Sequence, residues 1–160
     1  MKICDLCCGS KMFYFNKENP LVTFMDIREE DTRLSGDQRK FVVSPDVVGD
    51  FRNAPFSDEI FDMVVFDPPH LIHCGDNSLL AVKYGKLNAS NWKEDLKKGF
   101  SEAFRILKKD GTLIFKWSEK DIKLKDVLAL SPYEPLLGFR RENPIFLVFV
   151  KTEESKKKAF

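Results

Sequence analysis

The sequence predicts a doubly wound α/β fold built around a mostly parallel sheet. Short apolar segments rich in Val, Ile and Phe alternate along the chain with helical or polar segments, a pattern typical of parallel strands joined by crossover connections. The chain also has 160 residues, 43% hydrophobic content and 15 phenylalanines, which is enough for one buried core. We therefore expect a single domain over residues 1–151, followed by a disordered Lys-rich tail at 152–160.

The first half of the chain is predicted to contain four strands. Residues 2–8 are apolar and end at a Gly-Ser turn, and residues 21–27 (LVTFMDI) form a second apolar segment. Residues 41–43 predict a short third strand, after a polar segment in which residues 35–37 (Ser-Gly-Asp) favour a turn. Residues 60–66 predict the fourth strand, because five of the seven are Ile, Val or Phe.

The second half begins with a long loop at 70–90, which carries few structural signals. Residues 91–109 predict an amphipathic helix, since their apolar side chains recur every three or four positions and Gly111 follows the last of them. A strand at 112–117 and a helix at 119–130 come next. Two further apolar segments indicate an antiparallel C-terminal hairpin, formed by residues 136–139 and 145–150.

The composition restricts the class of protein. The net charge is only +1, but residues 1–80 hold 8 Lys/Arg against 14 Asp/Glu, whereas residues 81–160 hold 18 against 11. No apolar run approaches the roughly 18 residues that span a bilayer, and the N-terminus lacks a signal-peptide pattern. We therefore expect a cytoplasmic protein with no membrane partner, in which the four cysteines are thiols.

Carboxylates stand at or near the end of each predicted strand in the first half. In a doubly wound sheet, ligands bind beyond the carboxyl ends of the strands, near the point where the strand order reverses. Asp5 lies within the first strand, Asp26 is near the end of the second, Asp50 follows the third, and the fourth is followed by Asp67-Pro68-Pro69-His70. A single Asp at such a position is an ordinary turn residue. Four in succession indicate a ligand site at this edge of the sheet.

Taken together, these residues resemble class I S-adenosylmethionine-dependent methyltransferases, specifically the nucleic-acid amino-methyltransferases with an Asp/Asn/Ser-Pro-Pro-aromatic motif. The resemblance covers residues 3–117 and implies a Rossmann-like sheet and S-adenosylmethionine as the cofactor. Asp26 then accepts hydrogen bonds from the ribose hydroxyls, and Asp50 contacts the adenine amino group. Gly9 is the only glycine in a loop where two or three are usual. The cofactor-binding residues that the resemblance implies are Asp5, Cys7, Cys8, Gly9, Asp26, Ile27, Asp50 and Phe51.

The same resemblance assigns Asp67, Pro68, Pro69 and His70 to the catalytic site. The Asp67 side chain and the Pro68 carbonyl accept the two hydrogens of a planar amino group, which frees its delocalised lone pair for the methyl donor. The prolines fix the backbone, so the acceptors are preorganised. His70 takes the position that stacks on the target base, where Tyr or Phe is commoner.

The remaining assignments concern the substrate and a metal. Lys83, Tyr84 and Lys116 are assigned to substrate binding, the first two on a lid at 73–90 for which a plain surface loop is the alternative. A zinc site is the rival interpretation of the Cys and His residues around the motif. We expect no metal, because Cys4 and Cys7, three apart on a strand, point to opposite faces. The residues of that rival site are Cys4, Cys7, Cys8, His70, His73 and Cys74.

The resulting hypothesis is methylation of an exocyclic base amino group, with adenine in DNA favoured and RNA second. Two alternatives stay open: methylation of glutamine amides in proteins, and a non-catalytic subunit that only binds the cofactor. Fewer than about 45 residues follow the last core strand, which is small for a separate recognition domain. We therefore expect recognition to come from a partner, a second copy of the chain, or the structure of the nucleic acid.

Overall fold

The computed structural model of the protein describes residues 1–33, 40–75, 78–140 and 143–157. In these ranges, no helix is both long and apolar enough to cross a membrane. The elements of the described chain are, in order, β1 (Ile3–Asp5), β2 (Val22–Asp26), β3 (Glu30–Arg33), β4 (Lys40–Val43), β5 (Val47–Val48), β6 (Phe61–Phe66), α1 (Leu79–Tyr84), α2 (Trp92–Ile106), β7 (Leu107–Trp117), α3 (Leu124–Leu128), β8 (Leu137–Arg140) and β9 (Ile145–Val150).

Seven strands form one sheet in the order β5-β2-β1-β6-β7-β9-β8. The pairs from β5 to β7 are parallel, and β9 is antiparallel to both β7 and β8. This confirms the predicted doubly wound sheet with an antiparallel C-terminal hairpin. The strand order reverses between β1 and β6, which pair from Ile3↔Met63 to Asp5↔Val65. The loops that follow these two strands therefore emerge side by side.

The main core lies between this sheet and α2. The amphipathic pattern of α2 buries Leu96, Phe100 and Phe104 completely or nearly so. Phe100 packs between Phe66 of β6 and Phe115 of β7, with ring centroids 5.6 Å and 4.9 Å away. Burying aromatic side chains gives a large hydrophobic gain, so this cluster fixes the helix on the two central strands. The carboxyl end of β6 is thereby held in place.

We expect Gly99→Ala to destabilise the fold, although alanine is the better helix former. A Cβ at Gly99 would lie 2.5 Å from Phe66 and 2.8 Å from Phe51. At a solvent-exposed position of a helix, the change from glycine to alanine would stabilise the protein by about 1 kcal/mol. At Gly99 the added methyl group overpacks the core, which costs roughly 1–3 kcal/mol. Urea denaturation should show the net loss, with Ser101→Ala on the exposed face of α2 as the control. A Gly99→Ala variant as stable as the wild type would contradict this packing.

The structure differs from the sequence-based expectation in three elements. Residues 41–43 do form a strand, but β4 pairs with β3 in a separate hairpin, and β5 is the edge strand beside β2. The loop at 70–90 contains α1, which Ser78 caps by accepting the Ala81 N–H at 3.1 Å. The helix predicted at 119–130 is limited to α3. The turn predicted at 35–37 lies outside the described residues.

The first part of the predicted tail is packed against the domain rather than disordered. Ser155 accepts a backbone hydrogen bond from Glu134, and Lys157 donates one to Pro132. Lys156 also forms a bridge with Tyr133. These main-chain bonds tie residues 155–157 to the segment before β8. The division into a domain at 1–151 and a tail stays a prediction, and residues 158–160 lie outside the described ranges.

Candidate active site

A cleft of about 250 Å³ opens at the carboxyl ends of β1, β2 and β6. It therefore lies at the reversal of strand order, where a doubly wound sheet places its ligands. Most residues that the sequence assigned to the cofactor, the catalytic site and the lid line it together. These are Cys7, Cys8, Gly9, Asp26, Ile27, Phe51, Asp67, Pro68, Pro69, His70, Lys83 and Tyr84.

The loop after β1 crosses one end of the cleft and is held by its own backbone. The Leu6 N–H donates to the Val65 carbonyl and the Cys8 N–H to the Met25 carbonyl, so the loop is fixed between β6 and β2. Gly9 has φ +49°, a conformation that glycine adopts without strain. A Cβ there would meet no atom within 4 Å. The backbone at Gly9 thus faces open space that a ligand can approach.

Asp26 connects this loop to the opposite wall of the cleft. Only 5% exposed, it accepts the Gly9 N–H at 2.9 Å on one oxygen and the Arg28 N–H at 3.0 Å on the other. The Arg28 guanidinium also donates to Asp26 and, at 2.8 Å, to the Val82 carbonyl of α1. Sequence analysis did not single out Arg28. The sequence signal that could have identified it is its position, two residues after Asp26 at the end of β2.

Asp5 supports the loop after β1 through a hydrogen bond to its backbone and is not among the described residues that line the cleft. It is buried at the end of β1 and accepts the Cys7 N–H at 3.1 Å. Burial raises the pKa of the Asp5 carboxyl to about 7, and the nearby Asp67 and Asp26 carboxylates add to the effect. Burial also raises the pKa of the Cys7 thiol far above its usual range. Cys7 is therefore a neutral thiol in the cleft wall rather than a nucleophile.

Asp50 is also absent from the described lining of the cleft, although its neighbour Phe51 belongs to it. Its carboxylate binds the Arg52 side chain, with the closest contact 2.6 Å, and this lowers the pKa of Asp50. Arg52 also reaches Asp95 on α2 at 3.1 Å. Asp50 thus anchors its loop to the helix in this structure. Its contact with a cofactor adenine stays a prediction.

Asp67 forms an ion pair that sequence analysis did not foresee. The Lys116 ammonium donates to both Asp67 oxygens, at 2.9 Å and 3.1 Å. Phe66 pairs with Phe115 across the parallel strands, so the next residue on each strand comes into contact. Burial raises the pKa of Asp67, and the charge and hydrogen bonds of Lys116 oppose that shift. Lys116 thus favours the carboxylate form of Asp67.

Lys116 is enclosed by the aromatic residues beside the motif. Its side chain is 11% exposed, and its Nζ lies 5.4 Å from the Phe13 ring and 6.0 Å from the Tyr84 ring. Both rings line the cleft, so the ammonium stands behind its wall next to Asp67. Sequence analysis missed Phe13, which contacts Phe146 of β9 in an edge arrangement at 5.9 Å.

His70 stands at the end of the motif, between α1 and the sheet. Its ring centroid lies 5.8 Å from that of Tyr84 and 6.2 Å from that of Trp117. Burial, together with the charge of Lys116, lowers the pKa of His70 to about 4. The imidazole is therefore neutral at physiological pH and presents an uncharged ring.

We expect His70 to make the protein less stable in acid. Its pKa is depressed, so below about pH 6.5 the unfolded chain binds a proton that the folded chain refuses, and stability falls as the pH drops towards 4. Asp5, with its raised pKa, gives the opposite slope in this range. The measurement is therefore the difference in unfolding free energy between wild type and His70→Phe across pH 4 to 7. That difference should change by up to about 3 kcal/mol; a constant difference would show that His70 is not desolvated.

The predicted lid residues form the outer wall of the cleft. Lys83, Tyr84 and Gly85 line it at the end of α1, and a Cβ on Gly85 would lie 3.1 Å from Pro69. The chain before α1 is anchored by Asp121, which accepts the N–H groups of Ile72 and His73 at 2.7 Å and 3.0 Å. Movement of this wall as a lid stays a prediction.

The four cysteines are free thiols. Within the described residues, no group of three or more His, Cys, Asp or Glu side chains is arranged to hold a metal ion.

Comparison with known proteins places the fold. The sequence matches no family model and no curated protein sequence. Solved structures share the architecture over most of the chain. The N-methyltransferase NodS from Bradyrhizobium japonicum is similar with a TM-score of 0.60 and 12% identity, over 95% of this chain and 86% of that one. A TehB-like S-adenosylmethionine-dependent methyltransferase from Corynebacterium glutamicum is similar with a TM-score of 0.57 and 16% identity, over 94% and 80%.

A third similar structure contains ligands. The 1,6-didemethyltoxoflavin-N1-methyltransferase from Burkholderia thailandensis has 1,6-didemethyltoxoflavin and S-adenosylhomocysteine bound; its TM-score is 0.55 at 14% identity, over 94% of this chain and 71% of that one. The chain therefore has the Rossmann-like fold of S-adenosylmethionine-dependent methyltransferases, as the resemblance in the sequence implied.

Proposed function

We propose that the protein is a cytoplasmic S-adenosylmethionine-dependent methyltransferase that acts on an exocyclic amino group of a nucleic-acid base, with adenine in DNA favoured and RNA second. One observation carries the proposal. The loop of Gly9 with Asp26 and the motif of Asp67 to His70 come from different strands, yet they line one cleft. A methyl donor and an acceptor must meet in this way, because their reacting atoms have to approach in line.

The donor set at one end of the cleft fits the cofactor. Asp26 supplies carboxylate oxygens that accept hydrogen bonds from ribose hydroxyls, the open backbone at Gly9 permits close approach, and Phe51 offers an apolar ring to a base. When bound, S-adenosylmethionine supplies an activated methyl group on a sulfonium centre. The chain's own contribution is to hold and orient the acceptor.

Acceptor binding is assigned to the other end of the cleft. Asp67 keeps two oxygens that accept hydrogen bonds, and Pro68 and Pro69 restrain the backbone beside it. His70 offers a neutral ring for stacking on a base that has left its helix or was unpaired. An amino group held by such acceptors turns its lone pair out of conjugation with the ring. Preorganised acceptors of this kind need no rearrangement at the moment of reaction.

The surroundings of the cleft favour nucleic acid as the substrate. Lys83 lines the cleft at the end of α1, where its ammonium can contact a phosphate. Phe13 lines the cleft, and Phe15, two residues further, is fully exposed. Exposed aromatic rings beside basic residues provide stacking surfaces for unpaired bases. We further propose that sequence recognition comes from a partner or a second copy of the chain.

An acceptor screen tests this function. The purified protein would be incubated with S-adenosylmethionine carrying a labelled methyl group and with single-stranded DNA, duplex DNA, RNA and glutamine-containing peptides. Label in a base amino group, identified by mass spectrometry of the nucleosides, is the expected result. Label in a peptide amide would instead support the glutamine alternative. Cofactor binding without transfer to any acceptor would support a non-catalytic subunit.

A further inference from the structure

The ion pair between Asp67 and Lys116 places a hydrogen-bond acceptor and a donor side by side at the acceptor end of the cleft. Lys116 donates to both oxygens of Asp67, which occupies at most two of its three N–H groups. Among the described residues its ammonium makes no other hydrogen bond, and its remaining neighbours are the Phe13 and Tyr84 rings. A carboxylate offers about four lone-pair positions, so Asp67 keeps acceptor capacity as well. Each partner can thus make one further contact.

A second Asp–Lys pair on the same two strands shows that this arrangement is particular to the cleft. At the opposite ends of β6 and β7, Lys108 donates to Asp62 at 2.7 Å. That lysine is 43% exposed and lies far along the strands from the motif, whereas Lys116 is 11% exposed. A solvent-exposed ion pair such as Asp62–Lys108 contributes little to the stability of the fold. The enclosed pair has lost most of its water, and its Asp67 carboxylate lines the cleft where the acceptor is proposed to bind, with the Lys116 ammonium 2.9 Å behind it.

We propose that Asp67 and Lys116 together read an amino group and the unprotonated ring nitrogen next to it, so that Lys116 is a specificity-determining residue. Asp67 accepts an amino N–H while Lys116 donates to the ring nitrogen one carbon away. Adenine (N6 and N1) and cytosine (N4 and N3) present this pair on their Watson–Crick edge, where guanine presents two adjacent donors. The inference rests on the proposed function and narrows its substrate to an unpaired adenine or cytosine.

The same contacts fit the chemistry of transfer. One amino N–H bond breaks and its proton passes to Asp67. The nitrogen electron pair forms the new N–C bond while the C–S bond of the sulfonium methyl donor breaks and leaves its electron pair on sulfur. Lys116 keeps its protons; its hydrogen bond stabilises the electron density that accumulates on the ring nitrogen as the N–H bond stretches. Asp67 returns its proton to water after the product leaves.

Replacing one ring nitrogen tests the contact directly. Single-stranded oligonucleotides would carry one adenine or one 1-deazaadenine, in which a C–H group replaces N1, and a second pair would carry cytosine or 3-deazacytosine. Binding would be measured by fluorescence anisotropy and transfer by labelled methyl incorporation, for wild type, Lys116→Met, Lys116→Arg and the control Lys108→Met.

We expect wild type and Lys108→Met to bind and methylate the natural base roughly 10- to 100-fold better than its deaza analogue, the range for a hydrogen bond from a charged donor. Lys116→Met should lose this preference, and Lys116→Arg should recover part of it. Equal affinity and rate for both bases in the wild type, or an undiminished preference in Lys116→Met, would overturn the inference while leaving the proposed function intact. If the Lys116 variants fail to fold, equal affinity and rate for both bases in the wild type still overturns the inference. A wild type that methylates no oligonucleotide would refute the proposed function itself.

Discussion

Replacing Asp67 with alanine should reduce methyl transfer by at least about 100-fold, because preorganised polar groups at a reacting centre are worth factors of about 100 to 1,000. The change removes the carboxylate to which we assign both the hydrogen bond from the target amino group and the acceptance of its proton. Affinity for S-adenosylmethionine should stay within about twofold of the wild type, because the residues assigned to the cofactor lie at or after the ends of β1, β2 and β5, and none belongs to the motif after β6. Calorimetry with the cofactor and single-turnover transfer assays would measure the two effects separately.

Asp62→Ala is the matched control for this change. Asp62 lies on β6, the strand that Asp67 follows, and its replacement also deprives a lysine of β7 of its partner, but at the end of the sheet away from the cleft. Because Lys116 is enclosed, Asp67→Ala leaves a poorly hydrated ammonium without its partner, which destabilises the fold. Circular dichroism must therefore show that the variant is folded. Full transfer activity in a folded Asp67→Ala protein, or equal losses in both variants, would contradict the assignment of Asp67.

Replacing Asp26 with alanine should abolish measurable cofactor binding. The carboxylate is assigned to two ribose hydroxyls, and hydrogen bonds to a charged group contribute about 1.5–3 kcal/mol each. The resulting loss is at least about 100-fold in Kd. The Gly9 N–H also loses its partner, which loosens the loop that the ligand must approach. Calorimetry with S-adenosylmethionine and with S-adenosylhomocysteine should show the same loss for both.

Asp46→Ala separates binding from stability in that experiment. Asp46 accepts the Phe24 N–H of β2 at 2.9 Å, much as Asp26 accepts a backbone N–H at the end of that strand, but it is not among the residues lining the cleft. Its loss should lower the midpoint of thermal unfolding and leave the Kd unchanged. If Asp46→Ala weakened cofactor binding as much as Asp26→Ala does, the loss would come from disruption of β2 as a whole. The assignment of Asp26 to the ribose hydroxyls would then be wrong.

The sequence was sufficient for the parts of the fold that depend on local patterns. The apolar run of β6 and the helical period of α2 each locate an element within a few residues, because burial imposes the spacing of the side chains. The ends of the elements and the sheet assignment of short strands depend on partners far along the chain. Residues 41–43 therefore satisfied a strand pattern while pairing with β3 instead of β2.

Much of the candidate site was also predictable, because strand-end loops in a doubly wound sheet converge by topology. The strand-end argument predicts that Asp67 and Asp26 lie at the same edge of the sheet, and both line the cleft there; their separate roles come from the resemblance. The pairing of Asp67 with Lys116 depends on the register of two parallel strands, which single-strand patterns do not encode. Asp50 is the opposite case, because it fits the strand-end pattern but is not among the described residues that line the cleft. Its carboxylate is instead paired with Arg52, two residues later.

Arg28 connects the two ends of the cleft through its hydrogen bonds. Its guanidinium shares one hydrogen-bond network between Asp26 and the Val82 carbonyl of α1. A ligand that draws on the lone pairs of Asp26 changes how firmly Arg28 holds α1, and α1 carries the Tyr84 wall of the acceptor end. By linkage, each ligand must alter the affinity of the other by the same factor. We therefore expect bound cofactor to change the affinity for the acceptor in the wild type, and to leave that affinity unchanged in Arg28→Met, which lacks both contacts.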